Sequence, residues 1–473
     1  MSLNATRRIA VCLVLIAGCF VTPTRLVCAQ FLPPVLPLVK ETDHQNEDHS
    51  FLDHSETNLI GINLSGANLS HTNLRGSFLT GANFSGANLS HANLGGAYVG
   101  RANLDGADVT GASFGGSTLT VEQLQATTNY QDRNLVGVGL GRTSFEPFDL
   151  SGIDFQDFDL SGVRFGETTL TGANLSGALV AGAGFEDSNL TFEQLQSTAS
   201  YQQGNLAGIS LGHQFGERLA GWDLHDQNLS GASIRGTLTD FDLSGADLSY
   251  AHLGPFIFNF DLSNARLVNT IMGRGLMRES NLIGANLSNA TLSADYELWS
   301  VDSSTIYNQW TVFPRDFDPV AEGLTLVTTP LGDFNADGLV DGRDLTDLQR
   351  VAHEGDFGEP YYPVLDLNED SRINQEDVDA WLLEVKPTQP GDADLNGTVE
   401  FADFLILSEN FGLPGHWAEG DFDFSGNVGF ADFLIQSQNF GQTSAATVPE
   451  PSCGVWLVLL VCTARRRRRL NLR

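Results

Sequence analysis

Apolar residues recur every five positions from Leu59 to Leu119 without interruption, and this spacing is the strongest constraint on the fold. Leu, Phe or Val fills each of these positions, and a small residue, usually Ala, stands two positions earlier. An α-helix has a period of 3.6 residues and a strand a period of two, so neither element alone explains the pattern. The period instead indicates a short extended segment and a turn, repeated many times. The intervening Asn, Asp, Gly and Ser are turn formers, so we expect the apolar and small residues to face a narrow core.

The repeats form three blocks, of which the second covers residues 135–190 and the third covers residues 206–292. Several steps in the third block contain four residues instead of five, and these shortened steps predict local kinks or bulges. Two similar segments separate the blocks. Thr120 begins the first and Thr191 the second, each with Gln three positions later, which is a capping box. We therefore expect two short helices that stand off the repeat structure.

The sequence SGANLSHANL, residues 85–94, shows the repeat in its plainest form. This pattern, A-(D/N)-L-x-x, resembles the pentapeptide-repeat family. The resemblance implies a mainly β fold, a right-handed quadrilateral β-helix, over residues 57–320. The helical insertions would be residues 120–134 and 191–205. An aromatic segment, residues 299–319, would cap the C-terminal end, because an open solenoid edge invites pairing with other chains.

Four acidic loops follow the repeats, and each has oxygen-bearing residues at alternate positions. The first reads D-F-N-A-D-G from residue 333, which matches the calcium-loop pattern D-x-[DN]-x-[DN]-G. Ca²⁺ takes six to eight oxygen ligands, and glycine at position 6 allows the sharp turn that aims them at one centre. The predicted metal ligands are Asp333, Asn335, Asp337, Asp341 and Asp344 in loop 1; Asp366, Asn368, Asp370, Asn374 and Asp377 in loop 2; Asp392, Asp394, Asn396, Glu400 and Asp403 in loop 3; and Asp421, Asp423, Ser425 and Asp432 in loop 4.

An apolar-periodic segment follows each loop, and the loops come in pairs. This arrangement resembles the type I dockerin module, an EF-hand-like fold of small α-helical calcium-loop units. The resemblance implies one pair at residues 332–387, a second at 388–441, bound Ca²⁺, and a cohesin-like partner. In dockerins, loop positions 10 and 11 help to select that partner, and here loops 3 and 4 have Phe-Ala at those positions. Loop 2 has Ser371 and Arg372 where Gly and a neutral residue are usual, so we expect it to be the weakest site.

Charge supports the same interpretation. The chain has 58 acidic residues against 25 Lys and Arg, a formal net charge of −33. Such a balance excludes a nucleic-acid surface, because phosphate binding needs clustered cations. Residues 332–441 alone contain 24 acids and four bases. Self-repulsion opposes a small core there, so we expect folding of this region to depend on calcium.

Both ends of the chain resemble targeting segments. Residues 1–29 are typical of a signal peptide, although a lipobox-like sequence before Cys19 would instead make a lipoprotein. Residues 442–473 contain Pro-Glu-Pro, an apolar stretch and five arginines, and resemble a PEP-CTERM sorting signal. The resemblance implies processing by an exosortase, in addition to signal peptidase. We therefore expect a secreted or cell-surface protein that meets the membrane only through these segments.

Asp-His pairs recur every five residues just before the repeats, at 43–44, 48–49 and 53–54, in phase with Leu59. They could form a metal-binding histidine ladder. The simpler interpretation is a solvated linker that decayed from repeats, and we assign residues 30–56 to such a linker. A second linker is expected at residues 321–331.

The sequence has no G-x-S-x-G, H-E-x-x-H or P-loop motif, and we predict a protein that is not an enzyme. A glycosidase-like pair of carboxylates on one solenoid face is the alternative that the sequence leaves open. Three functions are considered. The first is a calcium-binding structural or adhesive protein of the envelope or extracellular matrix, with a protein or polysaccharide partner. The second is a dockerin-type adaptor in an extracellular polysaccharide-degrading assembly. The third is an acidic DNA mimic, as in gyrase-protecting pentapeptide proteins, against which the export signals argue.

Overall fold

The computed structural model describes residues 43–141, 146–212, 218–272, 276–292, 295–297, 299–354 and 364–443. The predicted signal peptide, nearly all of the sorting tail and the start of the first linker lie outside the described residues. Among the helices that are described, none is long and apolar enough to cross a membrane.

Parallel bridges join residues about 20 positions apart and stack the chain into coils. Leu64 N donates to the carbonyl oxygen of Asn83 at 2.8 Å, and Asn83 N donates to that of Ile62 at 2.8 Å. Each coil thus bonds to the next through its backbone, as in a parallel sheet. One continuous ladder runs through Asp53, Asn73, Asn93, Ser113, Gly139, Arg164, Gly184, Ser210, Ser233, His252, Ile271, Thr291 and Val312.

A tight turn after each apolar residue gives the coil its corners. Ala67 N donates to Leu64 O at 3.1 Å, and Gly66 between them has φ +64°. This is the geometry of a type II turn, which needs positive φ at its third residue. Leu64 and Ala67 are both fully buried. The prediction that the apolar and small positions face the core is correct.

Side chains on the coil exterior form a second ladder. Asn83 Nδ2 donates to Asn63 Oδ1 at 3.0 Å, and Asn63 Nδ2 donates to Asp43 Oδ1 at 3.0 Å. Asp48 and Asp53 accept in the same way from Asn residues 20 positions later. An Asp can accept from the next coil but has no N–H to donate to the previous one. Asp is therefore well suited to the first coil of such a ladder.

Short strands replace the bridges where the four-residue steps occur. Gly236, with φ +104°, joins two of these strands, which meet at a corner. The shortened steps thus produce regular parallel strands where we expected kinks or bulges. One sheet has the order β3-β5-β7-β9-β11 and another β4-β6-β8-β10-β12, while β1 pairs with β2 and β13 with β14. The strands are β1 (Phe148–Asp149), β2 (Thr168–Thr169), β3 (Ser210–Gly212), β4 (Arg218–Ala220), β5 (Ser233–Arg235), β6 (Thr237–Thr239), β7 (His252–Leu253), β8 (Phe256–Phe258), β9 (Ile271–Met272), β10 (Leu276–Arg278), β11 (Thr291–Leu292), β12 (Asp295–Glu297), β13 (Ile306–Tyr307) and β14 (Thr325–Leu326).

Two pairs of short helices interrupt the coils. The capping boxes at Thr120 and Thr191 are both present. The expectation that these helices stand off the solenoid is wrong, because Leu124 and Leu195 are fully buried and fill inward positions of the coil. Gln123 Nε2 also donates to two carbonyl oxygens of the preceding coil, each at 2.8 Å. The helices are α1 (Val121–Gln125), α2 (Thr128–Gln131), α3 (Phe192–Gln196) and α4 (Ala199–Gln202).

The solenoid is longer at both ends than we predicted. At its start, His49 N donates to Asn68 O at 2.8 Å, so residues from 43 onward belong to the coil and not to a linker. At its end, β14 pairs with β13, within what we expected to be the second linker. The aromatic segment packs on itself, with the Phe313 and Phe317 ring centroids 5.0 Å apart.

A helix follows each acidic loop, and both loop pairs surround one hydrophobic cluster. Trp381 and Trp417 are its largest buried side chains. Trp417 N donates to Gln349 Oε1 at 2.9 Å and so joins the second pair to the first. The two pairs that we predicted as separate modules therefore share a core. The helices are α5 (Gly342–Glu354), α6 (Gln375–Ala380), a π-helix (Trp381–Val385), α7 (Phe401–Asn410), a 3₁₀ helix (Trp417–Glu419) and α8 (Phe430–Asn439).

The helical region docks on one side of the solenoid through Tyr250. This side chain is buried, and its hydroxyl donates to Asp347 Oδ2 on α5 at 2.9 Å. The guanidinium carbon of Arg350 lies 4.6 Å from the Tyr250 ring centroid, a cation–π contact. Asn269 Nδ2 donates to Phe334 O of loop 1 at 2.6 Å. Polar solenoid side chains thus hold the first acidic loop.

We expect Tyr250→Phe to loosen this contact while leaving both parts folded. A hydrogen bond to a charged acceptor contributes about 1.5–3 kcal/mol, and its loss leaves Asp347 buried without that donor. Amide hydrogen exchange along α5 should quicken roughly tenfold or more, since about 1.4 kcal/mol corresponds to a factor of ten. Tyr98→Phe, at a 41% exposed solenoid position, is the control. Equal exchange in both variants would contradict the contact.

Candidate functional site

Loop 1 is closed by two buried carboxylates that accept backbone hydrogen bonds. Asp344, in the first turn of α5, accepts from Phe334 N at 2.8 Å and Asn335 N at 3.1 Å through Oδ1, and from Asp341 N at 2.9 Å through Oδ2. Asp333 accepts from the amides of residues 337 and 338 at 3.1 and 3.0 Å. Positions 12 and 1 therefore bend the chain around a common centre.

The same hydrogen bonds recur in the other three loops. Asp377, Asp403 and Asp432 at position 12 each accept three backbone N–H groups, from positions 2, 3 and 9 of their loops, at 2.7 to 3.2 Å. The position 1 carboxylates each accept two, from positions 5 and 6, at 2.8 to 3.1 Å. Four separate segments thus adopt one loop geometry.

Left-handed backbone positions shape all four loops. Position 4 has positive φ in every loop, with values of 53° to 60° at Ala336, Glu369, Leu395 and Phe424. Position 6 is Gly in three loops, but in loop 2 Ser371 adopts φ +70°. A side chain in this region costs roughly 1–2 kcal/mol. This strain is a physical reason for loop 2 to be the weakest of the four.

Carboxylates gather most closely in loops 3 and 4. One oxygen from each of Asp392, Asp394 and Asp403 lies within 4.8 Å of the others, and Asp421, Asp423 and Asp432 are equally close. Burial raises the pKa of Asp392, and it raises the pKa of Asp421 to about 6. Neighbouring carboxylates add to both effects. These clusters could hold a hard cation, which would supply the missing positive charge.

Loop 1 differs because a cationic side chain lies among its carboxylates. Arg343 Nη1 is 3.0 Å from Asp337 Oδ2, and Arg343 Nη2 is 3.0 Å from Asp341 Oδ2. Burial raises the pKa of Asp344 in this loop to about 6. A cation at loop 1 would have to displace the guanidinium from the side chains at positions 5 and 9. The sequence placed Arg343 at position 11 but did not show this contact.

The remaining predicted ligands take several arrangements. Asn374 caps α6, its Oδ1 accepting from Glu376 N at 2.7 Å. Asn396 Nδ2 lies 3.0 Å from Asp394 Oδ2 and 3.5 Å from Glu400 Oε1, so the three side chains meet. Ser425 Oγ contacts Asp421 Oδ1 at 3.4 Å. The prediction of these residues as metal ligands stays a prediction.

Loop 1 also contacts solenoid residues that sequence reasoning missed. Asn289 Nδ2 donates to Phe334 O at 3.2 Å, beside the donor from Asn269. Arg266 Nη2 donates to the carbonyl oxygen of Asn335. No local pattern marked these residues, because each stands at an ordinary outward position of the repeat.

The three histidines before the repeats are buried in the first coil. His44, His49 and His54 are 7%, 5% and 4% exposed, which contradicts the solvated-linker interpretation. Burial lowers the pKa of His49 and of His54, and the neighbouring histidine adds to this effect. The rings therefore favour the neutral form. Their Asp neighbours continue the exterior ladder, so residues 43–56 are repeats with His at the inward position.

Matching aromatic residues stand exposed on α7 and α8. Phe401 and Phe430, at loop position 10, are 62% and 65% exposed. Leu405 and Leu434, one turn later, are 45% and 42% exposed. Phe404 and Phe433 lie between them with ring centroids 6.3 Å apart. We refer to these six residues as the α7–α8 apolar face.

A family model described as pentapeptide repeats matches this chain in eight copies, at residues 55–86, 82–120, 149–191 and 261–294. The matched residues are pentapeptide repeats, and the expected resemblance is confirmed over them. The comparison with curated proteins found no match.

Solved structures of pentapeptide-repeat proteins are also similar. HetL, involved in heterocyst differentiation regulation in the cyanobacterium Nostoc sp. strain PCC 7120, is 21% identical; the match covers 55% of this chain and 89% of that one, with a TM-score of 0.17. Full-length QnrB1, a plasmid-mediated fluoroquinolone resistance protein, is 14% identical over 58% and 93%, with a TM-score of 0.11. A protein of the Arabidopsis thaliana thylakoid lumen is 24% identical over 32% and 73%, with a TM-score of 0.12.

We expect Ser371→Gly to stabilise loop 2. Glycine adopts positive φ without the side-chain clash, and the gain, less the larger unfolded-state entropy of glycine, should be roughly 0.5–1 kcal/mol. Urea unfolding of the full chain, followed by Trp fluorescence, measures the change. Gly426→Ser is the reverse experiment at φ +80° in loop 4 and should destabilise. A destabilised Ser371→Gly variant would refute the strain argument.

Proposed function

We propose that this chain, whose solenoid consists of pentapeptide repeats, is an exported, non-catalytic interaction protein that binds Ca²⁺ in its four acidic loops. The observation that carries the proposal is the fourfold recurrence of one loop geometry, closed by the same buried carboxylates. An accidental acidic surface would not repeat the same acceptors and the same left-handed positions in four segments.

The donor set fits Ca²⁺ better than a softer metal. Every predicted ligand in the loops offers oxygen, whereas Zn²⁺ prefers His nitrogen and Cys sulfur. In loop 3, Asp392, Asp394 and Asn396 at positions 1, 3 and 5 would hold the ion, with Glu400 and Asp403 beside them. Loop 4 offers one side-chain oxygen fewer, because Gly429 stands at position 9.

Bound Ca²⁺ would offset the repulsion that the loops create. Four ions would cancel eight of the 20 net negative charges of residues 332–441. The shared core around Trp381 and Trp417 packs directly behind the loops, so loop closure and core packing should be coupled. Calcium would in this way stabilise a helical region that docks on the solenoid.

Export is supported by the sequence alone. The signal-peptide-like start and the Pro-Glu-Pro tail both argue for the envelope or its exterior, where calcium is abundant enough for sites of modest affinity. The chain between residues 30 and 451 contains no cysteine, so disulfides cannot stabilise it there. Metal ions are a suitable substitute in that compartment.

A second candidate function, an adaptor within an extracellular assembly, is favoured by the α7–α8 apolar face. Aromatic side chains that stand exposed at equal positions of two repeated helices are suited to protein recognition. The resemblance to dockerins places partner-selecting residues at loop positions 10 and 11, where Phe401 and Phe430 lie. The partner would be a cohesin-like protein with an apolar surface, differing from those that recognise Ser-Thr.

Calcium titration of the metal-free full chain tests the proposed function. Addition of Ca²⁺ should increase helical circular dichroism and bury Trp381 and Trp417, seen as a blue shift in fluorescence. The double variant Asp394→Ala/Asp423→Ala should weaken binding roughly tenfold or more, because loops 3 and 4 each lose a carboxylate. Asp379→Ala removes an exposed acid outside the loops and serves as the charge control. Absence of calcium binding by calorimetry would overturn the proposal.

Capture from envelope and secreted fractions tests the adaptor function. The full chain should retain a partner in calcium and release it in chelator. Phe401→Ala/Phe430→Ala should abolish this capture, whereas Phe51→Ala, at a 74% exposed solenoid position, should not. Calcium-independent capture, or capture equal in both variants, would exclude the α7–α8 apolar face as the binding surface.

A further inference from the structure

Three histidines replace leucine in the interior of the first coil. His44, His49 and His54 occupy the inward positions that Leu64, Leu69 and Leu74 fill one coil later. The preceding section showed that all three are more than nine-tenths buried. Burying a polar imidazole without partners costs free energy that a leucine would not cost. Three such residues in succession therefore need a compensating interaction.

One carboxylate joins two of the rings. Glu47 Oε2 lies 2.9 Å from His44 Nδ1 and 3.4 Å from His49 Nε2. One ligand atom from each of these three residues lies within 4.8 Å of the others. A tetrahedral Zn²⁺ ion with bonds of about 2.0–2.1 Å separates its ligand atoms by roughly 3.3 Å. The side chains are thus close to the spacing that such an ion requires.

His54 adds a second, independent observation. Its ring lies against His49, with centroids 5.9 Å apart. Within the described parts of the chain, His54 Nε2 is buried and has no hydrogen-bond partner, and His49 Nε2 has none of normal geometry. Buried polar atoms are almost always satisfied, so an orphan nitrogen beside a His-Glu-His cluster indicates a missing ligand.

We propose that His44, Glu47 and His49, with His54 as a fourth ligand, bind a divalent transition-metal ion of the zinc class. Imidazole nitrogen suits Zn²⁺, Ni²⁺ or Cu²⁺, whereas Ca²⁺ takes oxygen ligands. The site is therefore distinct in place and in chemistry from the acidic loops. The ion would link three consecutive pentapeptides and fasten the first coil of the solenoid without a disulfide.

Zinc titration of the untagged full chain tests this site. The protein is stripped of metal, returned to excess Ca²⁺ to fill the acidic loops, and titrated with ZnCl₂ by calorimetry. One tight equivalent is expected in the parent protein. His49→Leu should weaken it at least tenfold and should remain folded, because leucine fills this position in the next coil. An unchanged zinc isotherm in His49→Leu would overturn the proposal.

A matched variant separates this site from an exposed alternative. His225 lies against Asp223 on the outside of the solenoid, and with Asp242 it forms another group that could hold a metal. His225→Leu should leave the tight equivalent intact, and loss of zinc binding in that variant alone would assign the ion to the outer group instead. Co²⁺ substitution of the parent protein gives a readout that does not depend on variant folding. Tetrahedral visible absorption bands support the site, and octahedral, solvent-like bands contradict it.

Discussion

One residue in every five of the solenoid adopts a left-handed backbone conformation, and the coil depends on it. Positive φ recurs at Gly61, Gly66, His71 and Gly76, where it ends each side and redirects the chain. Glycine adopts this conformation freely, whereas a histidine there costs about 1 kcal/mol or more. The backbone ladder and the buried leucines offset that cost. The acidic loops use the same device at positions 4 and 6, where it turns alternate carboxylates toward one centre.

Polar side chains in this molecule follow the stacking of coils more closely than their own local sequence. Asn suits the middle of the exterior ladder because it donates to one coil and accepts from the next, whereas Asp suits the start. Asp43, Asp48 and Asp53 stand at that start. The Asp-His pairs looked like a solvated linker because each residue is hydrophilic. Their five-residue phase was the better indicator of structure.

The solenoid and the acidic loops are joined by shared backbone atoms. Asn269 and Asn289 hold the carbonyl of Phe334, and Arg266 holds that of Asn335, both within loop 1. Closure of loop 1 and docking on the solenoid therefore constrain the same short segment. Tyr250 extends this contact into the core that both loop pairs share. A change in the loops should be felt at the solenoid surface.

Much of the architecture could be predicted because its rules are local and repeat. The five-residue period identified the coil and its inward residues, and the D-x-[DN]-x-[DN]-G pattern located four loops that adopt one geometry. The helical insertions were placed by their capping boxes, but their packing was not. Leu124 continues the five-residue phase of the repeat, and this phase, not helix amphipathicity, draws the helix into the core.

The sequence by itself determined the coil, its turns and the positions of the acidic loops, because each depends on residues within about a dozen positions of one another. Only the tertiary structure decided what meets across longer distances. Tyr250 and Asp347 are 97 positions apart and form one hydrogen bond. The two loop pairs share one core, and Arg343 folds back onto two carboxylates of its own loop. These contacts depend on how finished elements pack, which no periodic pattern records.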